Sequence, residues 1–427
     1  MTASESLGVS ATDDITQSPS SVITSNGETT LSSTTGDVTL DGENDFQGTV
    51  NASGANVALN DVNGIELGTI TASESLGVSA TDDITQSPSS VITSNGETTL
   101  SSTTGDVTLD GENDFQGTVN ASGANVALND VNGIELGTIT ASESLGVSAT
   151  DDITQSPSSV ITSNGETTLS STTGDVTLDG ENDFQGTVNA SGANVALNDV
   201  NGIELGTISA SESLGVSATD DITQSPSSVI TSNGETTLSS TTGDVTLDGE
   251  NDFQGTVNAS GANVALNDVN GIELGTITAS ESLGVSATDD ITQSPSSVIT
   301  SNGETTLSST TGDVTLDGEN DFQGTVNASG ANVALNDVNG IELGTITASE
   351  SLGVSATDDI TQSPSSVITS NGETTLSSTT GDVTLDGEND FQGTVNASGA
   401  NVALNDVNGI ELGTITASES LGVSATA

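Results

Sequence analysis

Polar and hydrophobic residues alternate in short runs along the whole chain. In the first copy of a repeated unit these runs include "LGVSA" from Leu7, "VTL" from Val38, "VAL" from Val57 and "IEL" from Ile65. A period of two is typical of β-strands with one buried face. No segment has apolar residues at the three- and four-residue spacing of an amphipathic helix. The pattern therefore predicts an all-β protein that is essentially free of α-helix.

Pairs of turn-forming residues separate the alternating runs. They are Asn26-Gly27, Thr35-Gly36, Asp41-Gly42, Ser53-Gly54 and Asn63-Gly64. Gly and Asn accept positive φ more readily than other residues, so we expect the chain to bend at these pairs with that backbone conformation. Pro19 cannot donate a hydrogen bond to a neighbouring strand, which predicts that "QSPSS" lies at a corner or at a strand end.

The runs belong to a unit of about 69 residues that is repeated along the chain. The repeats are residues 2–70, 71–139, 140–208, 209–277, 278–346 and 347–415, followed by a partial repeat at 416–427. The full copies differ at one position, where Ser209 replaces Thr. Ala427 stands where the pattern has Asp, and we interpret it as a boundary of the array.

A shorter spacing inside the unit favours a solenoid. Ile15 and Val38 are about 23 residues apart, and Ile23, Phe46 and Ile70 follow one another at nearly the same interval. The unit therefore divides into about three turns of about 23 residues, in which equivalent residues stack along one axis. We predict an all-β, parallel β-helix (β-solenoid) in which residues 2–427 form a single continuous body of roughly 18 to 19 turns, about 90 Å long.

Two other folds fit parts of the pattern. Tandem small β-sandwich domains, one per repeat, would each build a core from 16 Leu, Ile, Val and Phe residues, without Trp, Tyr or a disulfide. A solenoid needs less per unit, because each turn buries its apolar side chains against the turns before and after it. Disorder is the other alternative. Leu, Ile, Val and Phe together form about 23% of each copy, which is close to the roughly 20% typical of unfolded acidic chains.

Composition removes most classes of chemistry. The chain of 427 residues contains 61 Asp and Glu and no Lys, Arg, His, Cys, Tyr or Trp. It therefore lacks the usual acid–base, thiolate and Schiff-base groups, and any cation that could hold a phosphate. A net charge of −61 opposes binding to nucleic acids and anionic membranes and attracts counter-cations. We therefore expect no enzymatic activity, no nucleic-acid partner and no cofactor. We also expect no membrane insertion, because no apolar stretch is long enough to span a bilayer.

Clusters of carboxylates are the remaining candidates for a site. Asp41, Glu43 and Asp45 form one cluster, and Asp61, Asn63 and Glu66 form another. Hard oxygen ligands of this kind bind calcium, but neither cluster has the spacing of an EF-hand or of the nonapeptide calcium repeats. We interpret them as solvated turn carboxylates, with calcium binding as the alternative, and assign no catalytic, cofactor-binding or metal-binding residue. Asp13-Asp14 is a poor hydrolase pair, because neighbours in a strand point to opposite faces.

Four short runs resemble the repeats of large bacterial exoproteins of the filamentous-haemagglutinin type. They are NDFxGxV at Asn44–Val50, NVxLxD at Asn56–Asp61, LGxxTAS at Leu67–Ser73 and ITQ at Ile15–Gln17. The resemblance extends over every copy and concerns the shaft of those proteins and not their head. It implies a right-handed parallel β-helix that is secreted and acts as an adhesin or surface stalk.

These observations lead to one functional expectation and one alternative. We predict a structural repeat shaft of an extracellular bacterial fibre or adhesin, located outside the cell or at its surface, that acts as a spacer. Unpaired strand edges at the two ends would allow head-to-tail self-association. The alternative is a calcium-dependent adhesive or binding module. The adhesion target is left open.

Overall fold

The computed structural model describes residues 1–426 and consists of β-strands joined by short turns; it has no helix in that range. The interpretation of Ala427 as an array boundary lies outside the described residues. The strands of the first half are β1 Thr2–Ala3, β2 Leu7–Ala11, β3 Ile15–Thr16, β4 Thr24–Ser25, β5 Thr29–Ser33, β6 Val38–Phe46, β7 Val50–Asp61, β8 Ile65–Ala80, β9 Ile84–Gln86, β10 Ile92–Ser94, β11 Thr98–Ser102, β12 Val107–Phe115, β13 Val119–Asp130, β14 Ile134–Ala149, β15 Ile153–Gln155, β16 Ile161–Ser163, β17 Thr167–Ser171, β18 Val176–Phe184 and β19 Thr187–Asp199. Those of the second half are β20 Ile203–Ala218, β21 Ile222–Gln224, β22 Ile230–Ser232, β23 Thr236–Ser240, β24 Val245–Phe253, β25 Thr256–Asp268, β26 Ile272–Ala287, β27 Ile291–Gln293, β28 Ile299–Ser301, β29 Thr305–Ser309, β30 Val314–Phe322, β31 Thr325–Asp337, β32 Ile341–Ala356, β33 Ile360–Gln362, β34 Ile368–Ser370, β35 Thr374–Ser378, β36 Val383–Phe391, β37 Thr394–Asp406 and β38 Glu411–Ala425.

Neighbouring strands are parallel and come from consecutive turns of the chain. Ile84 of β9, for example, lies between Ile65 of β8 and Val107 of β12. A parallel pair between turns that follow each other directly is the defining feature of a β-solenoid. The prediction of an all-β parallel solenoid is therefore confirmed.

The residues form two compact units, Met1–Ser211 and Glu212–Ala427. Each unit is a stack of parallel turns built from the same repeat. The prediction of one continuous body from residue 2 to residue 427 stays a prediction.

Turn length varies in a fixed order. In the second unit one column of stacked residues passes through Ile222, Val245, Val264, Leu283, Thr305, Val326 and Leu343. The interval between neighbours in this column varies between about 17 and about 23 residues. Ile341, on the strand of Leu343, then pairs with Ile360, the counterpart of Ile222 two copies later. Two copies, from Ile222 to Ile360, thus contain seven turns, or about 20 residues per turn.

Each copy therefore makes about three and a half turns, and a column returns to the same residue type only after two copies. The predicted spacing is observed between Ile15 and Val38, while most other turns are shorter. The chain consequently makes about 22 turns, more than the number predicted from sequence. At about 4.8 Å per turn, one copy rises by about 17 Å within its unit, and not the roughly 14 Å that three turns would give. With ten carboxylates per copy, the charge density is one per about 1.7 Å, equal to that of duplex DNA.

The predicted stack of Ile23, Phe46 and Ile70 is wrong. Phe46 pairs with Ser25, and Ile70 pairs with Ala52. The register differs because this side of the turn is interrupted by irregularities, including register shifts between Leu40 and Asn44 and between Val50 and Ala52. A shift of this kind changes which residue faces the core, so simple periodicity fails there.

The hydrophobic core is shared between turns. Leu283 is 1% exposed, and its sequence counterpart Leu421 in β38 is 53% exposed. Both lie on the same kind of strand over the same kind of neighbour, Val264 and Val402. Only Leu283 is also covered by a following strand, which supplies Thr305. Burial therefore depends on the next turn, which excludes self-contained sandwich cores.

Positive φ occurs where it was not expected. No glycine among residues 1–426 has positive φ, so the backbone conformation predicted for the Asn-Gly and related pairs is wrong. The chain does bend at Asn26-Gly27, Thr35-Gly36 and Asn63-Gly64, whereas Asp41-Gly42 and Ser53-Gly54 lie within strands. The residues with positive φ are Ser20 and its counterparts, at 61° to 67°. Ser20 follows Pro19 in a turn closed by the Ser21 amide, which donates to the Ser18 carbonyl at 3.0 Å. Gly48 is required for another reason: a Cβ there would overlap the backbone of Gly27 in the preceding turn.

Candidate functional site

Carboxylates are partnered by amide side chains, because the chain has no basic side chain to form an ion pair. The Asn56 side-chain amide donates to Asp37 at 2.9 Å and to Glu74 at 3.2 Å. Its own oxygen accepts the Ser75 hydroxyl at 2.6 Å. These groups belong to three successive turns, so one asparagine links the turns and separates two carboxylates. A neutral donor therefore lowers the repulsion that the sequence creates.

A second asparagine performs the same role on another edge of the turn. The Asn51 side-chain amide donates to Glu28 at 2.8 Å, and its oxygen accepts the Thr69 backbone amide at 2.8 Å. Asn63 donates to Asp45 at 3.3 Å. The exposed polar residues thus form a lattice of hydrogen bonds between turns.

Asp13 and Asp14 each contact the following turn. The Asp14 carboxylate accepts the Asp37 backbone amide at 3.0 Å. The Asp13 backbone carbonyl accepts the Ser33 hydroxyl at 2.7 Å, and its carboxylate accepts the Thr35 hydroxyl at 3.4 Å. Both carboxylates therefore accept structural hydrogen bonds from the following turn.

A buried amide pair anchors the corner of every copy. Asn44 is fully buried and exchanges two hydrogen bonds with Gln17, at 2.6 and 3.1 Å. Asn44 also accepts the Ile23 backbone amide at 3.0 Å and donates to the Leu40 carbonyl at 3.0 Å. The same pairs recur at Gln86–Asn113, Gln155–Asn182, Gln224–Asn251, Gln293–Asn320 and Gln362–Asn389.

Sequence reasoning missed this pair, although a signal was present. Asn44 precedes Phe46 by two residues, so a strand that turns Phe46 inward also turns Asn44 inward. A side-chain amide can make four hydrogen bonds, and here Gln17, the Ile23 amide and the Leu40 carbonyl supply the partners.

A buried carboxylate lies beside each amide pair. Asp406 lies beside the sixth pair, and we call the other five, Asp61, Asp130, Asp199, Asp268 and Asp337, the corner aspartates; each of the five is 1% exposed. In Asp61, one carboxylate oxygen accepts the Phe46 backbone amide and the other accepts the Asn63 backbone amide, both at 2.7 Å. Burial raises the pKa of each corner aspartate. Its two backbone hydrogen bonds act to lower the pKa, and the like charge of one nearby aspartate, Asp45 in the case of Asp61, acts to raise it.

The two candidate calcium clusters are not assembled into a site. Asp41 and Glu43 are exposed, whereas Asp61 is buried with both oxygens occupied by backbone amides. Within residues 1–426, no three His, Cys, Asp or Glu side chains are grouped so that they could hold a metal ion. Calcium dependence stays a prediction.

One buried hydroxyl per copy has no hydrogen-bond partner. It belongs to Thr29 and to its counterparts, which are fully buried: Thr98, Thr167, Thr236, Thr305 and Thr374. Thr98 is stacked between Leu76 and Val119 in the core. An unpaired buried hydroxyl costs free energy, and nothing around it suggests a ligand.

Comparison with known proteins gives one match. A family described as repeats of unknown function, DUF5649, matches residues 1–53, 54–122, 123–191, 192–260, 261–329 and 330–398. No curated protein and no solved structure matches the chain. Residues 1–426 contain no helix that is long and apolar enough to span a membrane. The matched segments cover most of the sequence, and the chain therefore belongs to the DUF5649 family of repeats of unknown function.

Proposed function

We propose that this chain is a structural repeat shaft that acts as a spacer or stalk outside a bacterial cell or at its surface. The observation that carries the proposal is the uniformity of the copies. The same amide pair, buried aspartate and interturn hydrogen bonds recur along both units. A protein whose task is reach needs identical copies, whereas a catalyst or a specific binder needs a distinctive site.

The polar side chains support the same interpretation. The side chains of Asn56, Asn51 and Asp14 form hydrogen bonds between turns. Their polar atoms therefore stabilise the stack of turns. A charge density equal to that of DNA also keeps such shafts apart in saline surroundings. We therefore keep the expectation that the chain is not an enzyme.

The resemblance to filamentous-haemagglutinin-type exoproteins is part of this proposal and rests on the four motifs quoted above. Their residues have structural roles here: Asn44 and Asp61 are buried at the corner, and Gln17 pairs with Asn44. The right-handed sense and secretion are proposed on the same basis, whereas end-to-end self-association stays a proposal from the strand-edge argument given above.

Copy number provides the test. Arrays of three, six and twelve copies are placed between a cell-surface anchor and a fluorescent domain, and the height of the fluorophore above the membrane is measured. We expect the height to grow linearly, by about 17 Å per copy. Gly/Ser linkers of equal length are the control, and their span should grow only as the square root of length. Square-root growth of the arrays themselves would refute the spacer function.

A further inference from the structure

The corner aspartates are unusual because they bury negative charge in a chain that has no basic side chain to balance it. Each is held by two backbone amides, from Phe46 and Asn63 in the case of Asp61. Its backbone carbonyl accepts the Thr81 amide of the following turn at 3.3 Å. The side chain therefore lies at a junction of three stretches of chain, and its ionisation affects all of them.

The titratable groups near this junction are all acidic. Asp45, on β6, faces Asp61 as a like charge, and its carboxylate already accepts amides from Gln47 and Asn63. From the following turn, Asp82 lies against the Asn63-Gly64 loop, and its backbone amide donates to the Asn63 carbonyl. Neither neighbour can neutralise the buried charge, so a proton is the one local means of doing so.

We propose that the corner aspartates make the stability of the solenoid depend on pH. They take up protons when the surroundings become mildly acidic, and this protonation stabilises the stacked turns. A protonated corner keeps its packing and carries no unbalanced buried charge. An ionised corner keeps its two amide hydrogen bonds but retains the desolvation cost of the charge. Five such positions give the chain a stability that rises as the pH falls.

The sign of the effect follows from linkage. Burial raises the pKa of Asp61 above its ordinary value of 3.8. The folded protein therefore binds protons that the unfolded chain releases, and the stabilisation is fully present below the ordinary value and is lost as the pH rises through the raised value. Asp37 has the opposite sign, since its hydrogen bonds with Asn56 lower its pKa. The stabilisation that comes from Asp37 is lost only below about pH 3.8. Measurements above pH 4 therefore report on the corner aspartates and not on Asp37.

Melting temperatures of the full chain between about pH 4 and 7.5 test the proposal. They are measured in about 1 M NaCl, where the screening length is about 3 Å and general repulsion between surface carboxylates is suppressed. We expect the melting temperature to rise by about 5 °C or more as the pH falls across this range. A variant with all five corner aspartates changed to Asn should lose most of that rise.

The matched control changes Asp41, Asp110, Asp179, Asp248 and Asp317 to Asn, which removes the same number of charges from exposed positions. It should keep the rise seen in the unmodified chain. If the fivefold Asp→Asn variant fails to fold, carbon-13 NMR titration of the side-chain carboxyls in the unmodified chain replaces it, and the five corner signals should titrate above the exposed ones. A pH dependence that survives unchanged in the corner variant, or corner signals that titrate with the exposed ones, would overturn the proposal.

Discussion

Valine in place of the six buried threonines, Thr29, Thr98, Thr167, Thr236, Thr305 and Thr374, will raise the free energy of unfolding. Each hydroxyl is buried without a hydrogen-bond partner, while valine has the same shape and no polar group to desolvate. We expect a gain of about 1 kcal/mol per site, and a sixfold variant that melts far above the unmodified chain. Chemical denaturation followed by far-ultraviolet circular dichroism measures the change.

The neighbouring threonines provide the control. Thr30, Thr99, Thr168, Thr237, Thr306 and Thr375 lie on the same strands but face solvent. Their replacement by valine leaves burial unchanged and should alter stability by less than about 0.5 kcal/mol per site. A sixfold core variant that is no more stable than this control would mean that the buried hydroxyls are satisfied in solution.

Alanine at Asn113 will destabilise its corner severely. The Asn113 side chain makes two hydrogen bonds with Gln86, at 2.7 and 3.0 Å, accepts the Ile92 amide at 2.9 Å and donates to the Leu109 carbonyl at 3.1 Å. Its removal leaves the buried Ile92 amide without a hydrogen-bond partner and creates a cavity. We therefore expect the free energy of unfolding to fall by about 3 kcal/mol or more. Denaturation and hydrogen exchange of the Ile92 amide report it.

Asn132 is the matched control for that substitution. It is exposed, and its side-chain amide makes one long hydrogen bond, to Asp114 at 3.3 Å. The Asn132→Ala change should cost less than about 1 kcal/mol and leave the exchange rate at Ile92 unchanged. Equal losses for the two variants would show that the buried amide pair has no special role.

The regular part of the fold was predictable because the alternation of apolar residues is local. Val38 and Leu40, for example, alternate with polar residues and are buried on Val57 and Leu59 of the next turn. The spacing of Ile15 and Val38 also gave a correct pair. Both signals depend on side chains that need to face the core, and they are retained wherever the strand is straight.

The lengths of the other turns could not be predicted from that spacing. A short step, such as Val50 to Leu67, and a longer one, such as Leu7 to Thr29, close the same kind of turn with loops of different size. Loop size depends on contacts made by polar side chains, such as the pair between Gln17 and Asn44. Those contacts join residues far apart in sequence and have no hydrophobic periodicity to reveal them.

The candidate site illustrates the same limit. The acidic clusters around Asp41 and Asp61 look alike in sequence, but Asp41 is exposed and Asp61 is buried. The difference arises from strand register: Asp61 ends a strand whose alternate residues Val57 and Leu59 face the core, so Asp61 faces it as well. The relevant clue was phase within a strand and not the local density of charge.

Cross-linking between turns tests the stacked repeat of about three and a half turns most directly, because the chain contains no cysteine of its own. Thr246 and Ala265 are direct neighbours in adjacent parallel strands, within reach of a disulfide. A chain with Thr246→Cys and Ala265→Cys should form an intramolecular disulfide rapidly on mild oxidation. The pair Thr246→Cys and Val269→Cys has the longer spacing that turns of uniform length would bring together, and it should not close. Rapid closure of the second pair and not the first would contradict the register on which the account depends.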